Sequence, residues 1–427
     1  MSTLVEIPFE RVRLDNGLDL ILSPERSAPV VAINLWYRVG SRNEQPGRTG
    51  FAHLFEHMMF QGSQNVPESK HFAEIEKAGG SLNGSTWLDR TNYFETLPAS
   101  RLELGLWLES DRMGWLLPAM TQEKLDNQRD VVKNERRWRV DNQPYGDWDE
   151  RIQEMMYPSD HPYHHSVIGS MEDLDAASLE DVEAFFRTFY APNNAVLTVC
   201  GDFDAEHALK LVDRYFGDIP AGPRVPAIPG RTEVPRTLGG EIRERAAQDI
   251  SLPRVYVAYR IPAYGDPAHY PAAVAAHVLA YGRASLLYRN LVRDRQIAQD
   301  VVAYAFPIVV GASMLVTWAT ARPGGAIEEL EAALVEETTA LRDVEERDVE
   351  RAVRLMETAE LSMLQQPGER ADQLSMFASL FDDPGRINTE LDRIRAVRAE
   401  DVRAFAEEFL VAANRAVLTY VPAEEVS

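Results

Sequence analysis

A chain of 427 residues with 45% hydrophobic residues is long enough for two or three domains with sizeable cores. Its 67 acidic residues outweigh 44 basic ones, and the formal net charge of −23 argues against a nucleic-acid or anionic-membrane partner while fitting basic or neutral substrates. Cys200 is the only cysteine, which excludes an internal disulfide, and alone it cannot build a thiolate metal site.

Residues 1–10 lack a basic stretch followed by an apolar run, and no uncharged apolar segment reaches membrane-spanning length. The expectation is a cytoplasmic protein with no membrane association. Residues 18–22 and 30–37 read as strands. Residues 50–61 then read as a helix carrying His53-Leu54-Phe55-Glu56-His57. Helical spacing puts His53 and His57 on one face with Glu56 beside them. Two imidazoles can grip a zinc ion that keeps an open position for water, and a neighbouring carboxylate can take that water's proton.

A second helix over 68–78 is broken by Gly79-Gly80, and residues 81–87 and 92–97 suggest a hairpin turning at Asp89-Arg90. Residues 81–87 form a candidate edge strand that would take an extended peptide as an extra strand, with Asn83, Gly84 and Ser85 as substrate-binding residues. The alternative is an ordinary hairpin in which Asn83 makes a turn.

A long helix over 121–140 carries Leu125, Gln128, Val131, Val132, Glu135 and Trp138 on one broad stripe. A carboxylate on such a stripe needs a partner, and a metal would be one. Pairing of Glu135 with Arg136 or Arg139 is the other, and spacing leaves both open. His161, His164 and His165 cluster around Pro162, a pattern that suits a surface loop better than a second metal site. His71, His207, His269 and His277 look isolated and structural.

The chain repeats itself. Glu180-Asp181-Val182-Glu183-Ala184-Phe185 is echoed about 220 residues later by Glu400-Asp401-Val402-Arg403-Ala404-Phe405. Phe189 and Asn194 match Phe409 and Asn414, and Ala195-Val196-Leu197-Thr198 matches Ala416-Val417-Leu418-Thr419. Pro220, Pro223, Pro226, Pro229 and Pro235 mark an extended tether between the copies. We therefore expect a domain over 1–221 with the metal residues, a linker over 222–237 and a homologous domain over 238–427. In the second half, strands are expected over 254–259, 301–304 and 312–320, and helices over 271–280, 326–342, 346–364 and 399–410. This is an α+β pattern without a Gly-rich phosphate loop.

His53–His57, the segment from Gly79 to Thr86, and the run Asn127-Gln128-Arg129-Asp130-Val131-Val132-Lys133-Asn134-Glu135-Arg136-Arg137 together resemble the pitrilysin-type (M16) metallopeptidases, whose H-x-x-E-H signature defines the inverzincins. Val39-Gly40-Ser41-Arg42 and Gly50-Phe51-Ala52-His53 resemble the family's approach to that motif. The resemblance implies two homologous domains, each a mixed β-sheet packed against helices (the LuxS/M16 peptidase-like fold). It implies one Zn2+ per chain held by His53, His57 and Glu135, with Glu56 as catalytic base. It also implies peptide substrates cleaved in a chamber formed by paired chains.

Two features depart from the family. Gln128 stands where members often have a second glutamate, and a neutral amide cannot hold charge or accept a proton. Val292 and Gln299 stand where the second domain of an active pair presents an Arg and a Tyr to the zinc site. The expectation is a heterodimer with a homologous zinc-free subunit that supplies this pair; the alternative is a homodimer using residues such as Tyr304 or Arg283. A non-catalytic scaffold or assembly subunit that keeps the fold is the competing class.

Overall fold

The structure, a computed structural model, describes residues 6–423. In the first half it runs β1 (Glu10–Arg13), β2 (Asp19–Pro24), β3 (Val30–Tyr37), α1 (Phe51–Met58), α2 (Lys70–Lys77), β4 (Ser81–Thr86), β5 (Thr91–Pro98), α3 (Leu102–Trp115), α4 (Gln122–Arg136), α5 (Trp148–Met156), α6 (Met171–Ala176), α7 (Leu179–Phe189), β6 (Ala195–Gly201) and α8 (Ala205–Phe216). Residues 217–241 contain no helix or strand, as their prolines dictate. The second half runs β7 (Ile242–Gln248), β8 (Arg254–Ile261), α9 (His269–Ala280), β9 (Ala298–Ala305), β10 (Ser313–Ala321), α10 (Ile327–Thr339), α11 (Glu346–Met363), α12 (Pro367–Phe381), α13 (Glu390–Ala396), α14 (Ala399–Phe409) and β11 (Arg415–Pro422).

The strands make two sheets with one plan. The first has the order β1-β2-β6-β3-β5-β4 and the second β7-β11-β8-β10-β9. In each, one parallel pair (β2 with β6, β7 with β11) adjoins antiparallel neighbours, so both sheets are mixed. Central strands β3, β6, β8 and β10 are buried nearly throughout, which is why they read as continuous apolar runs. The repeat reaches single hydrogen bonds: Asn194 Nδ2 donates to the Phe189 carbonyl at 2.8 Å, and Asn414 Nδ2 to the Phe409 carbonyl at 2.8 Å. Each Asn satisfies an orphan carbonyl at the end of a helix and turns the chain into the strand that follows.

Two compact units are present, and they do not follow the sequence halves. The first comprises residues up to Arg136, His165–Pro229 and Leu361–Thr389; the second comprises Arg137–His164, Gly230–Glu360 and residues from Glu390 onward. Each half lends a helix to the other unit. In the first unit α12 covers the sheet, Ser375 Oγ donating to Thr198 Oγ1 at 2.7 Å. Asp372 Oδ1 there accepts from Asn34 Nδ2 (3.0 Å), Trp36 Nε1 (2.9 Å) and Asn92 Nδ2 (3.0 Å). In the second unit α5 covers the sheet, with Trp148 stacked on Tyr256 at 5.1 Å. α5 and α12 lie about 220 residues apart, the interval of the repeat, so the exchange is reciprocal.

Candidate metal centre

Helix α1 is only eight residues long, and its position is set by its surroundings. Leu54, Phe55 and Met58 are buried in the core of the first unit, with Phe55 4.3 Å from the Tyr190 ring. This face turns His53, Glu56 and His57 the other way. At the helix start Gly50 takes φ 85°, and a Cβ there would lie 2.6 Å from the Ile168 carbonyl oxygen, so no other residue fits. Buried Glu44 accepts the N–H groups of Gly50 (3.0 Å) and Ala52 (2.7 Å), two of the donors that a helix start leaves free. Burial pushes the Glu44 carboxyl well above the usual range, and these N–H bonds oppose that rise.

Glu135 arrives from α4. Leu125, Gln128 and Val132 are the buried stripe of that helix, and Glu135 follows at +3 from Val132. Arg129 Nε bonds the Leu174 carbonyl at 2.9 Å and Lys133 Nζ pairs with Asp175 at 2.5 Å, which fixes the rotation of the helix. Val131 and Trp138 are 39% and 67% exposed, so the sequence stripe was too broad. Regular α-helix ends at Arg136 and continues as a π-helical turn over Arg137–Asp141.

The two helices bring three side chains together. Glu135 Oε2 lies 3.3 Å from His57 Nε2 and 3.7 Å from His53 Nε2, with the imidazole rings nearly perpendicular and 4.9 Å apart. Ligand atoms of all three fall within 4.8 Å of one another. Tetrahedral zinc with bonds near 2.1 Å holds neighbouring ligand atoms about 3.4 Å apart, so this trio suits that ion in spacing and in donor chemistry. Glu56 sits beside it. Burial raises its carboxyl above the usual range, while Thr86, His57 and Arg90 act in the opposite direction.

Strand β4 runs past Glu56. Among the described residues it pairs only with β5, so its other side is an open edge, as expected. A Cβ on Gly84 would lie 3.3 Å from Glu56 Cγ and 3.1 Å from the Phe60 ring. Trp87 N–H donates to the Arg90 carbonyl across the turn at 2.8 Å. By antiparallel alternation Ser81, Asn83 and Ser85 then bond β5, and Leu82, Gly84 and Thr86 turn N–H and C=O to the open edge. Asn83 Oδ1 accepts the Gly84 N–H at 2.9 Å, and Ser85 Oγ donates to Asn92 Oδ1 at 2.7 Å. Arg90 braces the hairpin by bonding the Ser85 carbonyl at 3.0 Å and Oγ at 2.6 Å. Sequence reasoning did not pick out Glu44 or Arg90 as supports of this site. Glu44 acts on backbone N–H groups six and eight residues further on and Arg90 acts across a hairpin turn, and neither leaves a spacing signal.

The remaining candidates separate. His71, Glu95 and Glu109 form a fully buried group that could also hold a metal. Arg112 already binds both oxygens of Glu109; burial opposes the Glu109 charge, but Arg112 and His71 prevail and hold it at about 2. The ring of His161 stacks on Tyr157 at 4.7 Å, accepts the Tyr163 N–H, and is pushed by burial down to about 4. His164 Nδ1 meets the Tyr157 carbonyl at 2.8 Å, and His165 belongs to the other compact unit. Among the described residues these three histidines form no metal-holding group. In the second unit Val292 is 9% exposed within a π-helical turn, Gln299 is exposed on β9, and Tyr304 is 48% exposed.

Comparison with known proteins agrees with this architecture. Residues 20–161 match the family model for insulinase (peptidase family M16), and residues 176–356 match the peptidase M16 inactive domain. The zinc protease PqqE of Helicobacter pylori is 29% identical over 296 residues, 69% of this chain and 66% of that protein. The beta subunit of the mitochondrial-processing peptidase of Blastocladiella emersonii is 25% identical over 66% of this chain and 60% of its own length. The crystal structure of a protease from Helicobacter pylori superposes with a TM-score of 0.91 at 25% identity, covering 98% of this chain and all of that one. Two family models spanning most of the sequence and one fold shared along its whole length lead to one conclusion: this chain belongs to peptidase family M16.

Proposed function

We propose that this protein is a zinc-dependent endopeptidase acting on peptides or unfolded polypeptides held in extended form. The observation that carries the reading is the convergence of His53, His57 and Glu135 beside Glu56 and an open strand edge. His53, His57 and Glu135 hold the metal. Bound zinc supplies Lewis acidity and lowers the pKa of water. Glu56 takes the proton of the attacking water and delivers it to the leaving amine nitrogen. The edge of β4 pairs with the substrate backbone, which aligns a peptide bond while tolerating varied side chains. Gly84 keeps the strand clear of Glu56.

We further propose that a homologous zinc-free subunit completes the site, with a homodimer as the alternative. Val292 and Gln299 provide no Arg/Tyr pair to stabilise a developing oxyanion. The resemblance to a peptidase named as a beta subunit supports a paired assembly. A non-catalytic role is the second reading, favoured by the match of residues 176–356 to an inactive domain. That match excludes His53, Glu56, His57 and Glu135, which all fall within the insulinase match, so it weighs little against hydrolysis. The deciding experiment compares wild type with Glu56→Gln, each loaded with zinc and mixed with casein-derived peptides. Cleavage by wild type alone supports the proposal; equal activity of the two proteins would reject it.

A further inference from the structure

Strand β4 has two faces, and only one looks toward the metal centre. Leu82, Gly84 and Thr86 lie on the side of α1, where Gly84 meets Glu56. Ser81, Asn83 and Ser85 lie on the other, in register with Thr96, Phe94 and Asn92 of β5. Behind that second face is a cleft of about 630 Å³, closed on its far side by Gln366–Glu369 at the start of α12. The β4 side chains there are short and leave the cleft open to the strand edge. Gly368 allows the close approach of α12, since a Cβ on it would lie 3.6 Å from Thr96 Oγ1.

The charges lining this cleft are unevenly committed. Arg90 bonds Ser85 and lies over the Trp36 ring at 5.4 Å. Asp372 is consumed by three donors. Glu369 is exposed and makes no hydrogen bond or ion pair among the described residues. Phe94, 36% exposed, gives an apolar floor. A cleft lined by both an aromatic ring and a spare carboxylate is suited to a long cationic side chain, whose apolar stem can pack on the ring while its head pairs with the acid. The net charge of −23 favours approach of the same ligand.

Side chains of a peptide added to β4 alternate between these faces. We infer that the cleft between β4 and the start of α12 is a side-chain subsite for Lys or Arg, set by Glu369, at alternate substrate positions facing away from the metal. The inference rests on the peptidase reading for its substrate, and its test can be read without turnover. A lysine is moved one position at a time through an Ala/Ser peptide. Binding to zinc-loaded Glu56→Gln protein is followed by fluorescence anisotropy, and cleavage by wild type is measured in parallel. The expected result is tighter binding for lysines of one parity, by roughly fivefold. Glu369→Gln should abolish that difference, and Glu369→Lys should transfer it to glutamate-bearing peptides. Equal binding at every position, or a parity effect that survives Glu369→Gln, overturns the subsite. Parity in binding without cleavage by wild type keeps the subsite and rejects the peptidase reading.

Discussion

Glu56 and Glu135 are both glutamates near the same imidazoles, and their placement separates what each substitution should do. Glu135 Oε2 stands 3.3 Å from His57 Nε2, a ligand's position, while Glu56 lies alongside under β4. Glu135→Gln should weaken zinc retention under dialysis against a mild chelator, by about 10-fold or more. Glu56→Gln should keep the metal and lose hydrolysis, measured as metal content beside peptide turnover; loss of zinc from Glu56→Gln would reverse the assignment. His53, Glu56 and His57 were legible because four-residue spacing has one geometric meaning on a helix. Glu135 was less so, because Val131 and Trp138 on its stripe are exposed and only tertiary packing shows which way the helix faces. A third acid, Glu360, carries a pH prediction. Burial, with Glu390 adding to it, raises the Glu360 carboxyl to about 7. Its folded value lies above its unfolded one, so a stabilising contribution present below the unfolded value is lost as pH rises through about 7. Glu360→Gln should therefore stabilise the protein by roughly 1–2 kcal/mol above pH ~7 and progressively less as pH falls toward ~5. Urea melts at both pH values check this, and a gain independent of pH would contradict it.

At the scale of elements, the motif helix is held more by its neighbours than by its own length. An eight-residue helix is unstable alone, and Glu44 satisfies its first donors from six residues before Gly50. Glu44→Ala should leave buried N–H groups without a partner and cost about 2 kcal/mol, seen as a lower urea midpoint. It should also weaken zinc binding, since the helix start that aims His53 is no longer fixed; a melt and zinc affinity like wild type would show the cap to be dispensable. Gly84→Val is the matching test of the edge strand. Its branched side chain would meet the Glu56 and Phe60 side chains and should depress kcat while leaving zinc content unchanged. Much of this layer could be read from the chain: the β4–β5 hairpin, the motif helix and the Asn turns before β6 and β11 all have local signatures. Helix α3 did not, because it buries Glu109, Asp111 and Arg112 among its apolar residues and so lacks a clean amphipathic period. Helix α12 was missed for a related reason, since Asp372 and Arg370 look like surface residues until the sheet beneath supplies donors for Asp372 and the Leu364 carbonyl just before the helix accepts from Arg370.

At the scale of the whole molecule, a repeated chain has specialised its copies. Both sheets keep one strand order and one parallel pair, and the same Asn-to-carbonyl bond precedes the strand that closes each. The repeat was visible in sequence; the reciprocal exchange of α5 and α12 was not, because nothing local distinguishes a helix packed on its own sheet from one packed on its copy's. Among the described residues, the groups that could hold a metal all lie in the first copy, and the second has Val292 and Gln299 at the positions where the family resemblance expects an Arg/Tyr pair. A metal centre with its base but without that oxyanion support should be slow rather than dead. Loss of one such donor typically costs on the order of a hundredfold in rate. The purified chain should therefore bind one zinc and cleave peptides weakly. A homologous chain carrying Arg and Tyr at the positions of Val292 and Gln299 should restore turnover by about a hundredfold, with the two chains co-eluting as a pair. Glu56→Gln in this chain should abolish the restored activity, whereas removal of the zinc motif from the partner should not. Full activity of this chain as a homodimer, unchanged by any partner, would show that Tyr304, Arg283 or another residue of its own supplies the missing donor.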